Sequence, residues 1–576
     1  MSTPAGATGN DSTRLRDDTT RFLCGAAHRD EEFADSAIRE YLVEATRSIP
    51  RSPGVNSGAV LREAVAARTR RKVRDGVLLA LALLVLIAAS GTFLGVWLLV
   101  AVVVAVGTGM RPGFRRPRRV LPPHTRGPAV LGAIVSAIAL YFLLYKYIAE
   151  IEAAGRYSSR YCRRSYVECA EESSGGGVAV SIIVIALIFA VLLGDRVVTW
   201  LLVTKSFRRA RFRTGRGTRE LWRNEWTFRR LGHSSYAEAL ALYPVDDEDG
   251  PDEPGAAQVI VYHGYRPFVG SGTMFEPWSM ALPLKPAADG TDAPLPGFAL
   301  PELYERITAE LVKTGRSPSL SPGHRLSELQ TGDRVVISSV ELVDHIEDAE
   351  ARIVLPHKDH SPQKAVSRSV VDDLISRPME WMRYFRSFQV ETWDRDVVVS
   401  AYLTFGLDEQ MLYVEWTPCI LYPIRPEHRK IDVLPEQSLR PFLEAVVDLL
   451  KFPASVPRRV ASAVGWMSPI RQPEGTFVAE RYGASTSLRE LVSTSQVDNY
   501  FQLTDVERYI KVLESRLLRT LGEFLESKGI SVTEFMEQAM QVTSNNVHIT
   551  GPVISSNIGT TGKARTGKTS VRGGTS

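Results

Sequence analysis

Several groups of residues in this chain have the types and spacing to do chemistry, and each requires a particular context. Gly562-Lys-Ala-Arg-Thr-Gly567-Lys568-Thr569 matches the spacing of a phosphate-binding loop. Such a loop aims backbone N–H groups and a helix N-terminus at a phosphate, with a distant carboxylate for magnesium. Seven residues follow Thr569, too few for that helix, so no nucleotide site is expected. Gly264-Tyr-Arg-Pro-Phe-Val-Gly270-Ser-Gly272 follows a predicted strand at 258–262. A glycine-rich turn there could cradle an anion with help from Arg266, or form a tight loop with Phe268 packed beneath it. His357, Asp359 and His360, and likewise His345 with Glu347 and Asp348, are metal-ligand types, but their polar settings read as surface loops. No G-x-S-x-G elbow, H-E-x-x-H helix or Cys–His pairing occurs. Cys419, between Trp416 and Ile420, reads as an apolar filler of a strand. No catalytic residue, cofactor or metal ligand is predicted.

The elements that would carry any site are set by where apolar residues pool. Of 576 residues, 44% are apolar and 23% charged, with a net charge of +4, which argues against a nucleic-acid partner. The first 75 residues hold no apolar run of the kind a secretory signal needs. Between Gly76 and Val203, however, lie three aliphatic tracts. Gly76 to Gly107 carries no charge and is too long for one upright crossing of roughly 20 residues. Small residues at its middle (Ala89, Ser90, Gly91) allow a hairpin of helices near 77–89 and 92–107; one overlong tilted helix is the alternative. Arginines and lysines flank both ends, which favours the hairpin. Further helices are predicted at 128–148 and 178–194. Cys162 and Cys169, close together in the loop between them, suggest a disulfide in an oxidising compartment, with two thiols as the other reading.

After the last tract come Lys205, Arg208, Arg209, Arg211, Arg213 and Arg216, a basic cluster suited to anionic lipid headgroups. The expected fold class is therefore a multi-pass α-helical membrane domain plus a cytosolic α+β domain with antiparallel strands. The segments read as follows: 1–75 an N-terminal helical region, 76–204 the transmembrane domain, 205–254 a basic segment and acidic linker, 255–480 the α+β domain, 481–541 a helical segment and 542–576 a disordered or β-prone tail. The expected location is the cytoplasmic membrane, crossed several times, with both termini inside. The bilayer is the first expected partner.

Within 255–480 the strongest strand signal is a hairpin, with Val397, Val399, Ala401, Leu403 and Phe405 on one face, a turn at 406–409 and a return strand from Met411. A helix over 438–451 is predicted, with Leu439, Phe442, Leu443, Val446 and Leu450 at helical spacing. Farther on, Val506, Ile510, Leu513 and Leu517 repeat at helical spacing behind a capping box at Thr504. That stripe either packs on its own domain or joins two copies of the chain. In the tail, Val547/Ile549 and Val553/Ile554 alternate with small polar residues, a pattern able to stack on itself, although Pro552 interrupts it.

RFLCGAAHRDEEFADSAIREYLVEATRSIPRSPGV with VLREAVAARTRRKVRD, and FLESKGISVTEFMEQA, resemble stretches of uncharacterised multi-pass membrane proteins of actinobacteria. The Asn/Gly/Val tail is similar to short amyloid-forming motifs at the ends of some bacterial signalling proteins. Neither resemblance implies an activity. The functional expectation is a membrane-anchored signalling or scaffold protein with a cytosolic interaction domain. A membrane-tethered enzyme with a site in 255–480 is the second reading, and an oligomeric channel or transporter the third.

Overall fold

A computed structural model describes residues 8–88, 175–209, 212, 235–243, 256–287, 297–315, 326, 328–393, 396–435, 438–464, 477–497 and 499–545. Helices α1 (Thr8–Arg29), α2 (Glu31–Ile38), α3 (Ser57–Ala88), α4 (Gly175–Ser206) and α5 (Ala237–Ala241) precede the sheet. The strands are β1 (Ala256–Tyr262), β2 (Thr273–Met274), β3 (Trp278–Pro283), β4 (Gln330–Ser338), β5 (Ala365–Ser367), β6 (Met382–Thr392), β7 (Val397–Leu407) and β8 (Met411–Leu421). Among them lie α6 (Leu300–Gly315), α7 (Ser339–Asp344), α8 (Ala349–Val354) and α9 (Arg368–Ser376); α10 (Pro426–Arg429), α11 (Arg440–Val464), α12 (Leu488–Val492), α13 (Tyr500–Ser527) and α14 (Thr533–Asn545) follow.

The strands form one eight-stranded sheet, ordered β2-β8-β7-β6-β4-β1-β5, with β3 also on β8. The expected hairpin is present: Leu403 faces Trp416, Phe405 faces Val414, and Asp408 accepts backbone bonds from Gln410 and Met411 across the turn. Not every pairing is antiparallel, because β1 and β4 run parallel, Val259 beside Val335 and Val261 beside Ile337. Strand β4 ends at Ser338, where α7 starts. On β7 the whole run Val397 to Leu403 is buried, so both faces of this central strand are covered, not one. One face packs on α6, α13 and α14. The other packs Phe385, Tyr402 and Cys419 beneath Phe268, whose ring stacks on Tyr402 with centroids 3.9 Å apart.

The multi-pass membrane domain expected over 76–204 is corrected here, together with the location built on it, the cytoplasmic membrane with both termini inside. Among the described residues a single helix, Ile183–Ser206, is long and apolar enough to cross a membrane, and the dominant architecture is the mixed α+β sheet domain. Residues 77–88 are helical and continue α3, whose first half is buried in a core with α1 and α2; whether a second helix folds back on them lies outside the described residues. Hydropathy counts apolar residues without asking what they touch, and Leu78 touches other helices of this chain. The expected helices at 92–107 and 128–148 lie outside the described residues.

The N-terminal helices are fastened to the sheet domain by buried charge. The Arg21 guanidinium, fully buried, donates to Asp18, to Asp432 beyond α10 and to the Phe207 carbonyl. Arg489, equally buried, donates to the carbonyls of Pro53 and Asp396. His28 and Glu63 meet at 3.0 Å with both side chains buried. A buried charge is tolerated only when paired and hydrogen-bonded, so the Arg21–Phe207 and Arg489–Pro53 contacts hold segments more than 180 residues apart in one arrangement.

Two predictions follow from this packing. Gly270 has φ +97°, and a Cβ there would collide with the Arg51 carbonyl oxygen; at Gly264, φ +93°, a Cβ would meet open space. Gly270→Ala should lower unfolding free energy by roughly 3 kcal/mol and Gly264→Ala by about 1 kcal/mol, read by denaturant titration. His428 is buried, with Asp30 Oδ2 3.7 Å from its Nε2, and burial lowers its pKa despite the pull of Asp30. The unfolded chain then binds the proton more readily than the folded one. Stability conferred by neutral His428 is present above the ordinary histidine value of about 6.5 and is lost as pH falls below it. His428→Gln should flatten that decline in melting temperature between neutral pH and about pH 5.

Candidate functional site: an ionic tier at the head of an apolar helix face

Helix α3 changes character at Asp75. Before it stand Arg68, Arg70, Arg71, Lys72 and Arg74; after Gly76 come aliphatic residues. Helix α4 runs beside the apolar half. Its span Ile183–Ser206 has a mean hydropathy of 2.1 with 17% of its most apolar window buried, whereas a core helix of that composition would be mostly covered. The third member is α11, which follows the sheet in the chain. Leu78 of α3, Val184, Ile188 and Leu192 of α4, and Ala445 and Phe452 of α11 form one small core. Phe189 and Phe442 meet edge to face at 5.6 Å.

Where the apolar halves begin, charges of the three helices interlock. Asp195 accepts from Arg74 at 2.8 Å and lies 3.2 Å from Arg70, whose hydrogen bond goes instead to Thr199. Arg74 also holds Asp75 at 2.9 Å, and Asp75, with 2% of its side chain exposed, is gripped by Arg459 of α11. Arg196 reaches Asp448 at 2.5 Å and Glu444 at 3.4 Å, closing the tier on its more exposed side. Each buried carboxylate has more than one cation, the condition under which burial is not prohibitive. The arrangement can position and couple helices. It presents no nucleophile, and all its titratable groups are engaged with one another.

The sequence-predicted residues fall in different places. Of the basic cluster, Lys205 is exposed, but Arg208 donates to the Leu434 carbonyl, and Arg209 pairs with Asp18 at 3.1 Å while its backbone N–H donates to Asp432. Two of the three described members thus have a protein partner, although Arg209 stays 58% exposed; Arg211, Arg213 and Arg216 lie outside the described residues, as do Cys162 and Cys169. Val506, Ile510, Leu513 and Leu517 are buried on the sheet of their own chain, packed around Val397, Val399 and Ile420 at one end, so this stripe is not open to a second copy. Helix α13 begins one turn before the expected capping box, with Asn499 accepting from the Phe501 N–H. Residues 542–545 continue α14, and the rest of the tail, with Lys568, lies outside the described residues.

The glycine-rich loop does cradle an anion, and the anion is the chain's own. Glu490 accepts from the N–H groups of Gly270 (3.0 Å), Gly272 (2.9 Å) and Ser487 (2.7 Å). His357, Asp359 and His360 sit exposed in a turn, and His345 pairs with Asp348 at 2.9 Å and stacks on Trp381. Among the described residues no group of three or more such side chains is placed to hold a metal. On the sheet, Tyr384, Asp333 and Arg386 converge, but they bond to each other, and burial pushes the Tyr384 hydroxyl up.

Sequence reasoning found the first half of α11 but not which of its sides is covered, nor its continuation to Val464. The apolar stripe Leu439, Phe442, Leu443 and Leu450 is the face left outside, with Leu439 79% and Leu443 61% exposed. The available signal was charge: Asp75 and Asp195 stand at the edges of aliphatic tracts, where an acid needs a cation from elsewhere.

Residues 277–560 match the model of an AbeC-like domain, a stretch that begins at β3 and takes in α11 and α13 but not α3 or α4. No curated protein and no solved structure matches the chain.

Arg459→Met removes a cation from Asp75 and should cost roughly 2 kcal/mol. The matched pair Asp75→Leu with Arg459→Met, which leaves no uncompensated acid, should recover most of it. Hydrogen exchange of α11 amides reads both effects, and identical exchange in the single variant and the parent would refute the tier as a clamp.

Proposed function

We propose that this chain is an anchored scaffold without catalytic activity of its own, in which α4 is held in a lipid bilayer and the α+β domain, coupled to it through α11, presents an interaction surface. The observation that carries the reading is the passage of α11, a helix of the sheet domain, across both α3 and α4, tied at Arg459–Asp75 and Arg196–Asp448. A displacement of the helix pair must carry α11 with it or break a buried ion pair, and α4 also reaches the segment after β8 through the core shared by Val203, Phe207, Ile424 and Ile431. The exposed aliphatic face of α4 supports the anchoring part. The uncharged stretch of α4 ahead of the ionic tier, residues 175–194, has 20 residues, which at about 1.5 Å per residue matches the roughly 30 Å of hydrocarbon.

Ile183 and Leu187 are 59% and 48% exposed, so replacing them disturbs little packing. Ile183→Gln with Leu187→Gln should leave the melting temperature of the sheet domain unchanged. The parent chain should float with phospholipid vesicles in a density gradient, and the double variant should float several-fold less, as expected for losing two aliphatic side chains from the hydrocarbon. A parent chain that stays at the bottom of the gradient would refute the anchoring part.

A further inference from the structure

We infer that α11 is a second lipid-contacting element, lying at the surface of the bilayer with one stripe among the acyl chains and one edge against anionic phospholipid headgroups; this rests on the anchored reading above. The helix divides into three lengthwise strips. Ala445, Phe452 and Arg459 face α3 and α4 and are buried. Opposite them Leu439, just before the helix, and Leu443, Val447 and Leu450 are spaced four, four and three residues apart and remain exposed, with Phe442 beside them. Along one border of that stripe fall Arg440, Lys451 and Arg458, at positions i, i+11 and i+18 of one helix edge.

A broad apolar face left uncovered on a helix signals a partner. Three observations select the bilayer. The stripe is continuous with the exposed face of α4 through the Phe189–Phe442 contact, so whatever covers α4 meets α11 next. No ionisable side chain occurs on α4 from Ile183 to Gly194, and the ionic tier at Asp195 and Arg196 follows at once. That order, hydrocarbon-compatible and then charged, is the profile of a membrane interface. Finally, both acids of α11, Glu444 and Asp448, are engaged by Arg196, and Glu444 also by Arg440, while Lys451 and Arg458 flank the stripe with no acid of the helix left for them. An apolar stripe bordered by surplus cations is the pattern of a helix bound in the plane of an anionic lipid surface.

The test uses the full chain in vesicles of phosphatidylcholine with a minority of phosphatidylglycerol and a trace of phosphatidylcholine bearing an acyl-chain diazirine. Adducts after illumination are mapped by mass spectrometry. Labelling is expected on α4 and on residues 439–450 of α11. In Leu443→Gln with Val447→Gln the α11 adducts should fall about tenfold while those on α4 persist, as expected from removing two aliphatic side chains from the hydrocarbon. Omitting phosphatidylglycerol should reduce α11 labelling selectively. Adducts on α4 without α11 overturn this inference and leave the anchored reading standing; adducts on neither overturn both. Chemical cross-links between the α11 helices of two copies, in place of lipid adducts, give the face to a second copy and overturn it as well. Equal α11 labelling in neutral vesicles overturns the role assigned to the cations.

Discussion

The buried carboxylate of Asp75 is the constraint around which the helices are arranged. It interrupts α3 where basic residues give way to aliphatic ones, and it has 2% of its side chain exposed. An isolated acid in that position would be untenable, so it requires a cation that α3 alone does not supply in full. Arg74 provides one, from the preceding position, and Arg459 provides the other from a helix nearly 400 residues later. Asp195 repeats the arrangement on α4 with Arg70 and Arg74. Together these pairs fix the depth at which three helices meet, and therefore which parts of each remain outside.

The same physical rule operates elsewhere in the molecule. Arg21 and Arg489 are buried and Glu490 partly so, and each has at least one partner on a segment remote in the chain. The glycine-rich loop 264–272 illustrates the consequence. Its amides converge as an anion site would, but Glu490 occupies them, and the close approach of Gly270 to Arg51 and of Gly272 to Ile420 joins the N-terminal segment to β8. What reads in isolation as a ligand cradle is a joint between parts of the fold. The N-terminal segment is thus fastened to the sheet at this joint, while α3 and α4 are fastened to α11 by the tier.

Much of the sheet was legible in the residues. The β7–β8 hairpin follows from alternating aliphatic positions around Gly406-Leu-Asp-Glu409, and β1 and α13 follow from equally local patterns. The parallel pairing of β1 with β4 was not legible, because a crossover carries no signature in either strand. Nor was burial of both faces of β7, since its second cover comes from a loop whose apolar content is little more than Phe268 and Val269. The Val506 to Leu517 stripe was read correctly as a stripe, but whether a domain or a second copy would cover it depends on where the sheet lies.

Local sequence determined what is periodic: which segments are helices or strands, where each has an apolar side, and that α4 is long and aliphatic enough to cross a bilayer. Tertiary structure alone decided which apolar sides are covered. The stripe of α11 and the stripe of α13 have the same periodicity, yet one is exposed and the other buried. The difference arises because α11 is held by its charged edge, through Arg459, Asp448 and Glu444, to α3 and α4, which turns its aliphatic edge outward. Periodicity is a property of neighbours in the chain; pairing a buried acid with a distant arginine is a property of neighbours in space, and only the folded chain brings those together.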